Sequence, residues 1–117
     1  MVDDRGLIVV FTGDGKGKTT AALGVALRAS GRGMKTLVIQ FIKQGGTSGE
    51  QTVCPSVVKE IEIYPFGMGC VVHDVERVAH KEAVENAWRF MEKMLEKGKY
   101  DILVLDELNV VLHLGLF

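Results

Sequence analysis

Leu7-Ile8-Val9-Val10-Phe11-Thr12-Gly13-Asp14-Gly15-Lys16-Gly17-Lys18-Thr19-Thr20 is the stretch whose reading decides the fold. Five apolar residues read as a buried strand, the glycines behind them as a tight loop, and the residues from Lys18 as the start of a helix. That order is the arrangement of a polyphosphate-binding loop. Glycines let consecutive backbone N–H groups converge on phosphate oxygens, the helix start adds the positive end of its dipole, and Lys18 supplies a mobile point charge. Thr19 then fits as a hydroxyl ligand for the magnesium ion that travels with ATP. A mere strand-turn-helix needs glycine at the turn but has no use for Gly-Lys-Thr at the helix start. The candidate nucleotide-binding residues are therefore Gly13, Asp14, Gly15, Lys16, Gly17, Lys18, Thr19 and Thr20.

The loop departs from the usual spacing, because only Asp14, Gly15 and Lys16 separate Gly13 from Gly17 where four residues are expected. Either Thr12 takes the first glycine's place or the loop is one residue short. A shorter loop holds a triphosphate differently from an ordinary ATPase, and Lys16 places a second charge inside it.

Downstream, strands and helices alternate. Lys18 to Ser30 carries Ala21, Ala22, Val25, Ala26 and Ala29 at helical spacing, widened by Leu23 and Leu27, and Gly31 stands where the helix stops. Lys35 to Phe41 reads as a strand buried on both faces, and Glu60 to Tyr64 alternates as a half-buried or edge strand. Between them, Gln44 to Ser56 contains Gly45-Gly46 and Pro55 and reads as a mobile active-site loop. From about Asp74 to Lys97, the positions Val75, Val78, Ala79, Ala83, Ala87, Trp88, Met91, Met94 and Leu95 recur at helical spacing, and Gly98 closes the element. Asp101 to Glu107 is a buried strand ending in Asp106-Glu107, an arrangement that brings a carboxylate to the magnesium beside the phosphates. Thr19, Asp106 and Glu107 are the candidate metal ligands. Four strands joined by helices predict an α/β fold with a mostly parallel sheet, right-handed crossovers and the ligand at the strands' carboxyl ends.

The chain has 117 residues, of which 47% are hydrophobic and 25% charged, so it is expected to form one domain over residues 1–117. A formal net charge of −1 gives no basic footprint for nucleic acid. Met1 to Arg5 is not the basic start of a targeting peptide, and no apolar run reaches membrane-spanning length, so a cytoplasmic protein is expected. Cys54 and Cys70 lack the spacing of a zinc site and read as reduced thiols. His73, His80 and His113 are scattered and read as surface or helix-face residues.

The loop from Thr12 to Thr20, the helix Ala21 to Ala29, the strand end Gln40-Phe41-Ile42-Lys43, Gly49-Glu50 and Leu105-Asp106-Glu107-Leu108 together resemble the ATP:corrinoid, or cob(I)alamin, adenosyltransferases. The resemblance spans nearly the whole chain, and the short loop is its most specific mark. It implies a RecA-like P-loop fold, commonly a homodimer, that moves the 5′-deoxyadenosyl group of ATP to the cobalt of a reduced corrinoid and releases triphosphate. It implies ATP and magnesium (or manganese) at the site, the corrinoid as second substrate and a flavoprotein as possible reductant; by charge and apolar-run length, neither nucleic acid nor membrane is expected as partner. Residue by residue, it makes Lys16 and Lys18 the groups that neutralise charge on the leaving triphosphate, and Thr19 and Glu107 the foremost magnesium contacts, with Asp106 beside them. Lys16, Lys18 and Glu107 become the catalytic candidates, and Arg28 a further nucleotide contact. Where the family carries a Phe and a Trp facing the corrinoid, this chain has Cys70 and Val72, which implies a looser corrinoid pocket. Family members also continue past the second motif, so the sheet is expected to lack their carboxyl-terminal elements. Because fold does not fix function, a P-loop module that binds or hydrolyses ATP as a switch, without a corrinoid, is the alternative.

Overall fold

The computed structural model describes residues 5–69 and 77–117. Its elements run α1 (Lys18–Ser30), β1 (Thr36–Gln40), α2 (Gly49–Ser56), β2 (Ile61–Pro65), α3 (Arg77–Lys97), β3 (Ile102–Asp106) and α4 (Leu108–His113). The three strands form one parallel sheet in the order β2-β1-β3, with Gln40 at the end of β1 level with Pro65 and Asp106 at the ends of its neighbours.

β1 is buried along its whole length, as a central parallel strand must be. Its side chains alternate between two cores. Leu37 and Ile39 join Val84, Ala87 and Met91 of α3 and Val111 of α4 on one face. Val38 joins Ala26 of α1 and Cys54 of α2 on the other. Helices therefore cover both faces, the α/β architecture expected of a P-loop-like fold. The elements following β1 and β3 leave the sheet toward opposite faces, so a crevice opens between the carboxyl ends of these adjacent strands. In open α/β sheets that is where ligands bind.

Three expectations are corrected. Leu7–Phe11 is no strand: its side chains are exposed, Ile8 by 91%, and the Asn109 side-chain amide donates to the Phe11 carbonyl at 3.0 Å. An apolar run of this kind holds as a strand only when neighbours bury it, and β3 has no partner on its outer edge among the described residues. Among the described residues the sheet thus has three strands rather than four.

Second, the expected loop Gln44–Ser56 condenses into α2 from Gly49, with Pro55 in its last turn. Proline there forfeits one backbone bond, which a helix that is nearly finished tolerates. Third, the buried stripe of α3 is His80, Val84, Ala87 and Met91, while Val78 and Leu95 stay exposed. The inward stripe starts on a histidine, so a pattern drawn from apolar residues alone was rotated away from it. Of the other histidines, His113 is exposed and His73 lies outside the described residues, as do Cys70, Val72 and the expected helix start at Asp74. No helix of the described residues is long and apolar enough to cross a membrane.

Candidate functional site

Gly13 and Gly17 take left-handed backbone angles, φ 125° and 104°, at the two bends of the loop. Only glycine enters that region without strain, which explains why these positions are glycines. Gly17 caps α1, and no side chain satisfies the cap. The first-turn N–H groups are left for a ligand, and a helix start with no acid in its first turn favours an anion. The Lys18 ammonium donates to the carbonyls of Gly13 and Gly15, both at 2.7 Å, and so ties the loop into its curl.

One residue further, the geometry changes from local to long-range. The Thr19 hydroxyl donates to Asp106 Oδ1 at 2.7 Å, joining the start of α1 to the end of β3 across the sheet. Asp106 is almost fully buried. Its other oxygen, Oδ2, accepts from Gln40 Nε2 and from Lys43 Nζ, each at 3.1 Å. A buried carboxylate needs such compensation, because removing charge from water is costly unless hydrogen bonds and an opposite charge replace the solvent.

Lys43 also donates to Thr19 Oγ1 at 3.1 Å and pairs with Glu50 at 3.4 Å. Glu50 Oε2 accepts from Gln40 Nε2 at 2.9 Å, and Gln51 Nε2 donates to Gln40 Oε1 at 2.7 Å. α2 thus delivers Glu50 and Gln51 to the crevice. Burial alone would pull the Lys43 ammonium down, but the hydrogen bond and charge of Asp106, with Glu50 and Glu107, carry it above its ordinary value. Burial likewise pushes Glu50 up, yet its backbone and Gln40 hydrogen bonds and the charge of Lys43 hold it below the usual range.

Glu107 behaves in the opposite way. Burial first, then the neighbouring Asp106 charge, push its carboxyl up, against the pull of Lys43 and Lys18. Its Oε2 is enclosed without a hydrogen-bond partner. Its backbone is left-handed at φ 64°, alone in that among the described non-glycine residues, where β3 turns into α4.

Of the sequence candidates, the structure brings Lys18, Thr19, Asp106 and Glu107 to one crevice. Asp14 and Lys16 stay exposed on the loop. Thr20 lines an apolar cleft between α1 and α2, beside Leu23, Leu27 and Val53. Arg28 sits in the last turn of α1, about 15 Å of helix rise from Lys18. Gln40, Lys43, Glu50 and Gln51 were not singled out as site residues. A glutamine and a lysine at the end of an otherwise apolar strand were the available signal for the first two. For α2 it was Ser48 followed three residues on by Gln51, the pattern of a capping box.

Among the described residues no three His, Cys, Asp or Glu side chains converge as a ready-made metal centre. Thr19 Oγ1, the Asp106 carboxylate and the partnerless Glu107 Oε2 are hard oxygen donors, the chemistry magnesium takes when phosphate oxygens supply its remaining ligands. The residues present fit such an ion.

The crevice lies within residues 4–117, over which the chain matches the family model for ATP:corrinoid adenosyltransferase BtuR/CobO/CobP. The chain belongs to this family. Similar members include a corrinoid adenosyltransferase of Pseudomonas aeruginosa, 35% identical over 97% of this chain and 56% of its own length. Another, from Escherichia coli K12, is 39% identical over 92% of this chain and 54% of its own. The corrinoid adenosyltransferase CobA of Salmonella typhimurium matches to the same extent. The chain spans about half the length of these adenosyltransferase relatives.

Proposed function

We propose that this chain forms the nucleotide side of an ATP:corrinoid adenosyltransferase. It would transfer the 5′-deoxyadenosyl group of ATP to the cobalt of a reduced corrinoid and release triphosphate. The observation that carries the proposal is the 2.7 Å contact of Thr19 with Asp106, made beside the open start of α1 in a chain of this family.

In the reaction, cobalt(I) supplies an electron pair to C5′, the C5′–oxygen bond breaks, and triphosphate leaves with the electrons of that bond. A nucleophile of this strength needs no catalytic base, so the protein's work is positioning and charge stabilisation. Gly13 to Gly17 and the start of α1 would hold the phosphates. Lys18 and Lys16 would meet the charge building on the leaving triphosphate. Thr19, Asp106 and Glu107 would hold a magnesium or manganese ion, which supplies Lewis-acid neutralisation of phosphate charge when bound. Arg28, far along α1, is the weakest member of the proposed set. A single domain over residues 1–117, a homodimer, a flavoprotein as source of electrons and a cytoplasmic setting accompany this reading.

Incubating the protein with ATP, magnesium and chemically reduced cobalamin, or cobinamide, tests it. A light-sensitive adenosylated corrinoid with stoichiometric triphosphate is the expected result. ATP binding with no product on either corrinoid would instead identify a nucleotide-binding module without transferase activity.

A further inference from the structure

The crevice already contains a cation. Lys43 Nζ lies 3.1 Å from Thr19 Oγ1, 3.1 Å from Asp106 Oδ2 and 3.4 Å from Glu50 Oε2. The Thr19 hydroxyl gives its own proton to Asp106 Oδ1, so its lone pairs are free to face the ammonium. Two of these three acceptor residues are the ones assigned above to the metal. An ammonium and a divalent ion repel strongly at the separation that sharing those oxygens would impose. They are competitors for one place.

We propose that Lys43 is a resident stand-in for the divalent cation. Its ammonium fills the Thr19–Asp106 position in the nucleotide-free protein, excludes bare metal ions, and yields when metal arrives together with nucleotide. The incoming phosphates make the exchange possible, because they bring negative charge and fresh acceptor oxygens within reach of a flexible four-carbon side chain. Lys43 thereby couples the two ligands, so that metal is admitted with nucleotide and not before it.

The surroundings support an exchangeable arrangement. Asp106 retains Thr19 and Gln40 as donors when Lys43 departs, and so is never left as a bare buried charge. The Lys43 backbone, by contrast, is fixed: its carbonyl accepts from Gly67 N at 3.1 Å, and the Ile42 carbonyl accepts from Gly69 N at 2.9 Å. An anchored backbone with a mobile ammonium is what such a switch of partners requires. The inference rests on Thr19 and Asp106 forming the metal side of the nucleotide site and is independent of the corrinoid.

Titration with Mn²⁺, followed by the magnetic resonance signal of the free ion, tests the proposal without any turnover. Wild-type protein is expected to bind Mn²⁺ alone weakly and to tighten when ATP is present. Lys43→Met and Lys43→Gln should bind Mn²⁺ alone about tenfold or more tightly than wild type, narrowing the gap that ATP produces. Lys35→Met removes a cation at the opposite end of β1, paired there with Glu62, and should change nothing. Equal Mn²⁺ affinities in wild type and both neutral variants would overturn the proposal. So would failure of both variants to fold with or without Mn²⁺, since Lys43 would then be a structural counter-charge. If wild type bound no Mn²⁺ even with ATP, the assignment of Thr19 and Asp106 to the metal would fail instead.

Discussion

Leu7–Phe11 and β1 are both short apolar runs in the same chain, yet one lies exposed and the other is the most buried element of the sheet. The difference is neighbours. β1 has a strand on each side and a helical layer on each face, whereas the amino-terminal run is tied by the Asn109 contact to Phe11. The same division runs through the site. The strand-end cluster, Thr19 with Asp106 and Lys43, is held by contacts between elements distant in sequence, while the loop from Gly13 to Gly17 is held by Lys18 beside it. Hydrophobicity nominates a strand, but packing decides whether it exists.

The sharpest contrast to impose is truncation in each run. Ile39→Ala, in the buried strand, should cost about 2–5 kcal/mol. Ile8→Ser, in the exposed run, should stay within about 0.5 kcal/mol of wild type. Denaturant unfolding reads both, and a large loss from Ile8→Ser would mean that this run is buried in solution.

Next in size is Lys18→Ala, which removes the charge that gathers the loop and that is proposed to meet the phosphates, while leaving the glycines in place. A loss of about a hundredfold or more in ATP affinity by calorimetry is expected, roughly 2.7 kcal/mol, with little change in melting temperature. Wild-type affinity in that variant would remove the phosphate-loop assignment. Thermal unfolding responding more than binding would make Lys18 a structural tie of the loop rather than a phosphate ligand.

Gly67→Ala probes the Lys43 cluster from behind. A Cβ at Gly67 would overlap the Ile42 backbone, so either the Gly67–Gly69 segment or the Ile42–Lys43 segment must move. Destabilisation of about 1–3 kcal/mol should result. Mn²⁺ affinity should shift along with it, because Lys43 moves with its backbone.

The smallest effect is one of pH, and its sign separates two acids of the same crevice. Glu50 is held below 4.5 in the folded protein, so its contribution is complete above pH 4.5 and is lost as pH falls through the lower folded value. Glu107 is held above 4.5, so ionising it opposes folding, and that penalty grows as pH rises from 4.5 through the folded value. At neutral pH Glu50→Gln should therefore lower the melting temperature and Glu107→Gln raise it slightly. Both differences should shrink on acidification. Magnesium-dependent turnover should fall in Glu107→Gln despite the gain in stability, and unchanged activity per folded molecule would make Glu107 structural.

What was legible in the sequence was whatever local rules govern. The bounds of α1 followed from the glycine loop and the alanine spacing, and β1 and β3 from uninterrupted apolar runs. The Thr19–Asp106 pairing was legible only as chemistry, as two candidate ligands of one ion, because nothing local connects residues so far apart in sequence. α2 was hidden by Gly49 and Pro55, which suit a loop better than a helix. With it went Glu50 and Gln51, and so the network around Lys43. His80 misled the reading of α3 because a buried polar residue breaks an apolar pattern without breaking the helix. Leu7–Phe11 misled in the other direction, since its sequence holds everything a strand needs except the partners.

Glu107 carries a consequence for how such a site persists under mutation. A non-glycine residue in the left-handed region costs about 1–2 kcal/mol, and this one also encloses a partnerless oxygen. Glycine at this position would relieve both. Selection for heat resistance alone should therefore drift toward glycine at 107 and discard the acid, whereas selection for magnesium-dependent chemistry should retain glutamate in spite of its cost. If Glu107 holds the metal, the residue at 107 would then report which of the two pressures dominates.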